Sequence, residues 1–594
     1  MSHLAPGAAR PRAPAAPLLA HPLAVPAAAA LAAAALTLPF LGTVGLWDPW
    51  ETHYTEVGRQ MLARGDLVHP FWQDAWFFSK PALTPWLAAL GLTLAGVPGG
   101  EGALPPATSF WVRLPFALLS VAAVAVLAAQ VARLAGRRAG LLAGLVLATS
   151  PLWLLVSRQA MTDLPFAACV AVATAALARR LLDPAASAGW TVAAWVAMGL
   201  GALAKGLLGP GLPLASVALF ALLERRPWAE TGASLRRLAS PAALAAFAVV
   251  ALPWYLLMLG FDGLDAEGKT FFQRFFLHDH LARLTTGVYS STPGGSFTYF
   301  LEQGAWGFFP WVGLVPLAVL GPWPAAAPAA RLGRLAATQA ALAFVLFSAS
   351  ATRFHHYILP ALPALAVAVG LALDGLLAAP APPRLLALGA LLAGLAGRDL
   401  ALAPRRWLEL FTFNQERPYP DALDARPILA GAPAWLDAHG AAWLVTAVAV
   451  VALAALAARG DRPALRHRAL QALLTAGVLQ AAWLAWGQME RLGPHWTQRE
   501  LFQRYFALRQ GEEPIAAFFM DWKGETLYSR NRVVQLKPEN WERELPRFLG
   551  RGGRKWMLVE HGRLGGLQPH LVGHGVRAVD PGLSNKFVLL EIDR

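Results

Sequence analysis

Residues 131–180 read VARLAGRRAGLLAGLVLATSPLWLLVSRQAMTDLPFAACVAVATAALARR. The segment contains two apolar runs, at about 139–157 and 161–178, with one arginine cluster before the first run and another after the second. A helix of about 20 residues crosses the hydrocarbon core of a bilayer, and both runs approach that length. Because arginine concentrates on the cytoplasmic side of membrane proteins, the segment predicts a helical hairpin with both ends in the cytoplasm.

The composition of the whole chain agrees with this segment. Its 594 residues are 56% hydrophobic and 14% charged, with a mean hydropathy of +0.45, whereas soluble domains carry about 25% charged residues. Too few polar side chains are present to cover a soluble surface, which excludes a disordered chain and a soluble enzyme. The net charge of +14 fits arginine-rich cytoplasmic loops, and since no basic run is interleaved with aromatics we expect no nucleic-acid partner. A single cysteine, Cys169, excludes an intrachain disulfide.

The same alternation along the chain predicts an all-α polytopic membrane protein with about thirteen transmembrane helices. Residues 1–21 are predicted to form a cytoplasmic tail and residues 22–487 the membrane domain. If the run at 81–97 crossed the membrane, every later arginine cluster would lie outside the cytoplasm. This run is therefore predicted to lie at the outer interface. The run at 385–397 is short for a span. The predicted spans are at about 22–46, 110–132, 139–157, 161–178, 189–204, 206–223, 238–259, 298–321, 335–351, 357–379, 385–397, 441–458 and 469–487.

Most of the acidic, histidine and aromatic residues that are not in spans lie, in this topology, on the extracytoplasmic face. We therefore expect the chemistry on that face. The first outer loop is predicted to be 47–109. Residues 488–594 have a soluble composition and are predicted to form a small extracytoplasmic α/β domain. Its predicted elements are strands at 515–519, 532–536, 555–560 and 585–592 and a helix at 538–549.

Three carboxylates at span ends are candidates for catalysis, because ionisable residues are costly at a membrane edge. Asp48 and Glu51 lie close together in LWDPWETHY and suit a base or a metal site. The alternative is interfacial solvation and a charge at a helix N-terminus. Asp163 begins a span, where it could instead cap the helix, with Thr162 and Arg158 as its nearest possible partners.

Four cations could bind a phosphate. Lys205 in ALAKGLLGP lies between two apolar runs with no acid nearby in sequence. It could bind a lipid phosphate, or its side chain could extend to the lipid headgroups. Lys80 has the same two interpretations. Arg283 belongs to FLHDHLARL, and Arg353 precedes a span in ATRFHHYILP, where a juxtamembrane belt is the alternative.

The histidines of these loops favour substrate hydrogen bonding over metal binding. His278 and His280 form a His-x-His pair, but no third residue follows at a spacing typical of metal ligands. The segment GLDAEGKT (263–270) matches the letters of a phosphate-binding loop but follows a membrane span instead of a strand, so a nucleotide site is not expected.

The outer segments resemble, in order, those of the integral-membrane glycosyltransferases with the GT-C fold, within them the 4-amino-4-deoxy-L-arabinose transferase and dolichyl-phosphate-mannose protein mannosyltransferase group. The resemblance covers about residues 25–380. The matching segments are LWDPWETHYTEVGRQMLARGDLVHP (46–70), FFSKPALTPWL (77–87), VRLPFALLS (112–120), SRQAMTDLPFA (157–167), GALAKGLLGPGLP (201–213), ALPWYLLM (251–258), FFLHDHLARL (275–284), GFFPW (307–311) and ATRFHHYILPALPAL (351–365).

The resemblance implies transfer of a sugar from a polyprenyl phosphate to a lipid, glycan or protein acceptor outside the cytoplasm, usually with inversion. It implies a phosphate site, catalytic carboxylates and substrate-binding side chains, and a location in the inner membrane of a bacterium. No cofactor is expected to be required; a divalent cation is possible but not indicated. The implied residues are Lys80, Lys205, Arg283 and Arg353 for the phosphate, Asp48, Glu51 and Asp163 for catalysis, and His53, Tyr54, His278, His280, His356 and Tyr357 for substrate.

Two positions depart from the family pattern. Trp50 stands where the first loop usually has its leading acid, and Ser79 precedes Lys80 where members of the aminoarabinose type carry glutamate. The sugar and acceptor therefore stay open. The alternative function is a transporter or flippase of lipid-linked sugars. Such a protein would need internal repeats and ionisable residues near the midplane of the membrane. Glu302, within a predicted span, is the one candidate for such an ionisable residue.

Overall fold

The computed structural model describes residues 21–97, 102–282, 285, 298–322, 328–403, 406, 438–492, 496–584 and 586–593. The predicted cytoplasmic tail therefore lies almost entirely outside the described residues. What is described is a bundle of apolar helices followed by a small domain built on a five-stranded sheet. The chain is an integral membrane protein of the predicted fold class.

Most helices of the membrane part follow the apolar runs, whereas Trp50–Arg64, Trp228–Arg236 and Phe272–Ala282 lie outside them. A 3₁₀ turn precedes each of two helices, Trp311–Leu314 before Val315–Leu320 and His355–Ala361 before Leu362–Ala378. The helix Phe272–Ala282 has π-helical hydrogen bonding. The bounds are α1 Ala24–Thr37, α2 Trp50–Arg64, α3 Leu83–Leu94, α4 Thr108–Ala135, α5 Arg137–Thr149, α6 Pro151–Ser157, α7 Asp163–Leu182, α8 Gly189–Lys205, α9 Leu208–Leu223, α10 Trp228–Arg236, α11 Pro241–Leu259, α12 Phe272–Ala282, α13 Thr298–Gly307, α14 Val315–Leu320, α15 Pro328–Ala349, α16 Leu362–Ala378, α17 Pro383–Leu402, α18 Ala438–Arg459 and α19 Pro463–Ala482.

The predicted count of thirteen spans is not confirmed, although each predicted run corresponds to helix. Eight described helices are long and apolar enough to cross a membrane, or ten if two bent pairs are each one span. The pairs α5–α6 and α13–α14 bend by 67° and 109°. Pro151 and Pro310 lie at these bends, where a proline cannot continue the hydrogen bonding of the preceding helix. The helices α1, α8 and α9 have only 14, 17 and 16 residues.

Two of the less regular runs differ in the length of their helices. The run at 81–97 contains α3, whose 12 residues are fewer than a bilayer crossing needs, and its position at the interface stays a prediction. The short run at 385–397 is part of α17, which has 20 residues and is long enough to span. The ends of α17 include the polar residues Arg384 and Arg398. The apolar run alone therefore underestimated the length of this helix.

The turn between α8 and α9 places Lys205 at one end of the bundle. The helix α8 ends at Lys205, and Gly206 follows with φ +74°, a conformation that favours glycine. A Cβ on Gly206 would lie 2.3 Å from Nε2 of His280, and one on Gly209 would lie 2.2 Å from the carbonyl carbon of Gly201. Close packing on both sides therefore fixes this turn.

The C-terminal domain contains a mixed sheet in the order β4-β3-β5-β7-β6. The strands β3, β4 and β5 are parallel, whereas β7 pairs antiparallel with β5 and β6. Four strands and the helix Trp541–Leu549 were predicted, and β6 was missed because four of its five residues are exposed at the sheet edge. Residues 47–109, here called the first outer segment after their predicted position, contain a short hairpin of β1 Phe71–Trp72 and β2 Ala75–Trp76. The strands of the C-terminal sheet are β3 Ile515–Phe518, β4 Val534–Leu536, β5 Lys555–Glu560, β6 Gly575–Val579 and β7 Phe587–Asp593.

The C-terminal domain is bound by hydrogen bonds to the connection between α1 and α2. The backbone N–H of Asp48 donates to the carbonyl of Trp496 at 2.8 Å. Arg499 donates to the carbonyls of Gly42 and Thr43 at 3.3 and 2.6 Å. These contacts fix the C-terminal domain at one end of the helix bundle.

Candidate active site

A cavity of about 800 Å³ opens at the end of the bundle that carries the C-terminal domain. Its floor comes from the start of α7, the end of α8 and the 3₁₀ turn before α16, and its walls come from the first outer segment, the loop after α11 and the C-terminal domain. The side chains that line it include Trp50, His53, Tyr54, Trp72, Asp74, Trp76, Phe77, Ser79, Lys80, Asp163, Lys205, Asp265, Glu267, Arg274, Phe354, His356, Tyr357, Asp521 and Lys523.

Asp163 and Lys205 form an ion pair on the floor of the cavity. Asp163 is the first residue of α7 and Lys205 the last of α8, so each charge is favourable for its helix dipole. Nε2 of His356 lies 3.3 Å from the second carboxylate oxygen of Asp163, and Nζ of Lys205 lies 4.4 Å from the ring centre of Tyr357. These contacts hold an ammonium group in a fixed position in an aromatic environment.

Lys80 adds a second ammonium group to the cavity. It follows the hairpin of β1 and β2, and its Nζ donates to the carbonyl of Ser79 at 3.1 Å. Lys80 and Lys205, which are 125 positions apart in the sequence, thus line one cavity. Arg158 is not the partner of Asp163: its guanidinium donates to the carbonyls of Thr37 and Pro39 instead.

An aromatic wall faces these charges. The rings of His53 and Trp72 are 4.2 Å apart, and those of His53 and Phe77 are 4.8 Å apart. Trp50 packs edge-on against His356 at 5.0 Å. Aromatic faces beside charged groups suit a sugar or another ligand with both apolar and polar surface.

The segment that resembles a phosphate-binding loop forms a wall of the cavity. It turns at Asp265–Lys269, and Asp265 bridges to Trp76 of the first outer segment. Arg274 of α12 pairs with Glu267. Hydrogen bonds from Lys269 and Arg274 lower the pKa of Glu267 to about 2, so this carboxylate is ionised at neutral pH. The loop joins α11 to α12 without a strand, and this connection agrees with the rejection of a nucleotide site.

The geometry does not favour the catalytic role predicted for Glu51. Its side chain is 1% exposed and is paired with Arg113. Each carboxylate oxygen accepts one bond from Arg113, at 2.9 and 2.7 Å, and one backbone N–H, from Ala160 and Trp47, at 2.8 Å. A base needs an oxygen that can reach the substrate, whereas these oxygens are occupied away from the cavity.

Asp48 also lies apart from the cavity lining. It is 2% exposed and accepts hydrogen bonds from Thr52 at 2.7 Å and from Gln498 at 2.8 Å. Gln498 belongs to the C-terminal region, and the predicted catalytic carboxylate therefore lies in the junction of the two domains. The catalytic role of Asp48 stays a prediction.

The remaining predicted phosphate and substrate residues divide into two groups. His53, Tyr54, Lys80, Asp163, Lys205, His356 and Tyr357 all line the cavity. Arg353 lies elsewhere, since it donates to the carbonyls of Ser350 and Ser348 at the end of α15, and Arg283 lies outside the described residues. His278 contacts Asp279 at 3.0 Å and His280 contacts the carbonyl of Phe275 at 2.8 Å, away from the lining.

Sequence analysis missed several charged residues of the cavity. Arg274, Asp265 and Glu267 lie in or beside the loop that was set aside because its nucleotide-binding interpretation failed. Asp521 and Lys523 belong to the C-terminal domain, in which no site residue was predicted. Within the described ranges, no three histidine, cysteine or acidic side chains are arranged to hold a metal, and the expectation that no cofactor is required stays a prediction.

Comparison with known proteins identifies the family. A profile of the dolichyl-phosphate-mannose-protein mannosyltransferase family matches residues 79–254. The undecaprenyl phosphate-alpha-4-amino-4-deoxy-L-arabinose arabinosyl transferase of Pseudomonas aeruginosa strain LESB58 is 32% identical over 412 residues, 68% of each chain. Its counterpart in Edwardsiella ictaluri is 28% identical over 333 residues, and the aligned part spans 54% of that relative.

A solved structure shares the fold over nearly the whole chain. The crystal structure of ArnT from Cupriavidus metallidurans bound to undecaprenyl phosphate has a TM-score of 0.65 and 23% identity, with 96% of this chain and 97% of that chain covered. The apo form of the same protein has a TM-score of 0.66. The chain belongs to the undecaprenyl phosphate-aminoarabinose arabinosyl transferase family, whose members are polyprenyl-phosphate-dependent glycosyltransferases with the GT-C fold.

Proposed function

We propose that the protein transfers a sugar from undecaprenyl phosphate to a lipid, glycan or protein acceptor on the extracytoplasmic face of the bacterial inner membrane. The observation that carries the proposal is the convergence of Lys80 and Lys205 in one cavity at the outer end of the spans. The names of the relatives make 4-amino-4-deoxy-L-arabinose the first sugar to test.

The departing phosphate is the group that the lysines would bind. In the transfer, the bond between the anomeric carbon and the phosphate oxygen breaks, and its electron pair stays on undecaprenyl phosphate. Negative charge on that oxygen grows toward the transition state, so cations fixed in advance lower the barrier. Lys205 is held by Asp163, and Lys80 is held beside Ser79, before the substrate enters.

Asp163 would act mainly through Lys205. Its carboxylate contacts Lys205 and His356 and is 8% exposed, so it orients both groups toward the sugar. An acceptor oxygen then attacks the anomeric carbon from the face opposite the phosphate, which inverts the configuration. A hydroxyl acceptor also loses a proton to a base, whereas an acceptor phosphate is already anionic and needs none.

The experiment is a transfer assay on the full-length protein in lipid vesicles. Undecaprenyl phosphates that carry different sugars, 4-amino-4-deoxy-L-arabinose among them, are supplied with total envelope lipid as acceptor. We expect release of free undecaprenyl phosphate to depend on one sugar and to be strongly reduced in Lys80→Ala. Lys537→Ala, which replaces a lysine outside the cavity, is the matched control and should release it at the wild-type rate.

Two results would contradict the proposal. One is the absence of release with every donor while the lipid-linked sugar moves between the leaflets, which would establish the flippase alternative. The other is equal release by Lys80→Ala and the wild type, which would place the phosphate elsewhere.

A further inference from the structure

The C-terminal domain contributes a charged turn to the wall of the cavity. Asp521 and Lys523 line the cavity just before the short helix Gly524–Tyr528. Lys523 has φ 78°, in the left-handed region that side chains other than glycine rarely adopt. Such a conformation persists only where neighbouring groups hold it, so the position of Lys523 is determined by its surroundings.

A buried network holds this turn against the first outer segment. Oε1 of Glu525 accepts the backbone N–H groups of Trp522 and Lys523, both at 3.2 Å. The amide nitrogen of Gln498 donates to Glu525 at 3.0 Å and to Asp48 at 2.8 Å. Hydrogen bonds thus link Asp48 through Gln498 and Glu525 to the backbone of Lys523.

Lys523 faces the aromatic wall contributed by the membrane domain. Its Nζ lies 5.6 Å from the ring centre of Trp72, which packs on His53. The carboxylate partner of Lys523 is Asp521, whose side chain is 66% exposed. An ion pair this exposed is weak, so an incoming anion can displace Asp521 from Lys523 at little cost.

The two cationic ends of the cavity differ in their surroundings. Lys205 is 14% exposed and pairs with a carboxylate that is 8% exposed, whereas Lys523 pairs with one open to solvent. The buried end suits a phosphate that arrives from the bilayer on a lipid chain. The open end, with an indole beside a cation, suits a phosphorylated sugar, because the ring packs on the indole and the phosphate accepts from the ammonium.

The geometry points to Lys523 as a specificity-determining residue that binds a phosphate of the acceptor while the acceptor sugar packs on Trp72. The inference rests on the proposed function for the assignment of Lys80 and Lys205 to the donor. It gives the C-terminal domain a direct part in the choice of acceptor.

The test measures binding by the full-length protein in nanodiscs, without turnover. The probes are diphosphoryl lipid A, a membrane-bound disaccharide with two phosphates, its monophosphoryl form, and undecaprenyl phosphate. We expect Lys523→Ala to weaken binding of diphosphoryl lipid A by about tenfold or more, the contribution of one charge-assisted hydrogen bond. The Kd for undecaprenyl phosphate should not change, and Lys523→Arg should retain most of the affinity for diphosphoryl lipid A.

Lys537→Ala, in the same domain but outside the cavity, is the matched control. The inference is wrong if the wild type binds neither lipid A form, if Lys523→Ala binds diphosphoryl lipid A like the wild type, or if it loses undecaprenyl phosphate to the same extent. Failure of the proposed function is a separate result, since it consists of no sugar transfer by the wild type. In a protein that transfers the sugar, Lys523→Ala should raise the KM for the acceptor and leave the KM for the donor unchanged.

Discussion

Replacement of Lys205 by alanine is expected to lower the kcat of sugar transfer by about 10²- to 10³-fold, the range found when one preorganised donor to a developing negative charge is removed. Lys205 is fixed by Asp163 and lies over the ring of Tyr357, so its ammonium group needs no reorganisation when the phosphate departs. The measurement is the steady-state rate of undecaprenyl phosphate release from its sugar-loaded form at saturating donor and acceptor.

A double-variant comparison separates this role from a structural one. If Asp163 acts through Lys205, the variant with both Asp163→Asn and Lys205→Ala should be little slower than Lys205→Ala alone, since coupled residues are not additive. Additive losses would show that Asp163 has an independent part in the reaction. A wild-type kcat for Lys205→Ala would remove Lys205 from the mechanism.

Replacement of Arg113 by alanine is expected to reduce the free energy of unfolding by about 3–5 kcal/mol, because it leaves Glu51 buried without its counter-charge. Arg113 also donates to three carbonyls between α1 and α2, those of Leu41, Val44 and Gly45, at 2.8–2.9 Å. The loss would therefore loosen the connection that leads into the first outer segment. The measurement is the unfolding transition of the purified protein in detergent.

Arg138→Ala is the matched control for this prediction. Arg138 pairs with Asp374, but the two side chains are 55% and 30% exposed, so its loss should cost at most about 1 kcal/mol. If Glu51→Gln kept the wild-type stability and lost transfer, Glu51 would regain the catalytic role that its sequence position suggested.

Much of the fold could be predicted because a bilayer imposes simple requirements on a sequence. Apolar runs between arginine clusters identified most helices of the membrane part, whereas α2, α10 and α12 lie outside these runs. Short apolar segments identified four of the five strands of the C-terminal sheet. The number of spans could not be predicted to the same accuracy. Prolines such as Pro151 and Pro310 bend helices within apolar runs, and hydropathy does not register such a bend.

Part of the candidate site could be predicted because an ionisable side chain at the edge of a membrane costs free energy and is therefore a candidate for function. Lys205 and Asp163 were both identified in this way, although their pairing across 42 positions was not visible in the sequence. The same criterion selected Glu51, whose pairing with Arg113 could not be seen in the sequence, and its catalytic role stays a prediction. Lys523 was missed because it lies in a polar domain where a lysine is ordinary, and only the tertiary contact with Trp72 distinguishes it.

The most direct test of the donor site is a cryo-electron microscopy structure of the full-length protein in nanodiscs with undecaprenyl phosphate. We expect the phosphate to lie within about 4 Å of the Nζ atoms of both Lys80 and Lys205, the distance of an ion pair, with the lipid chain leaving the cavity toward the bilayer. A phosphate bound instead at Lys523 or Arg274, with Lys205 still paired only to Asp163, would contradict the assignment of the buried end of the cavity to the donor.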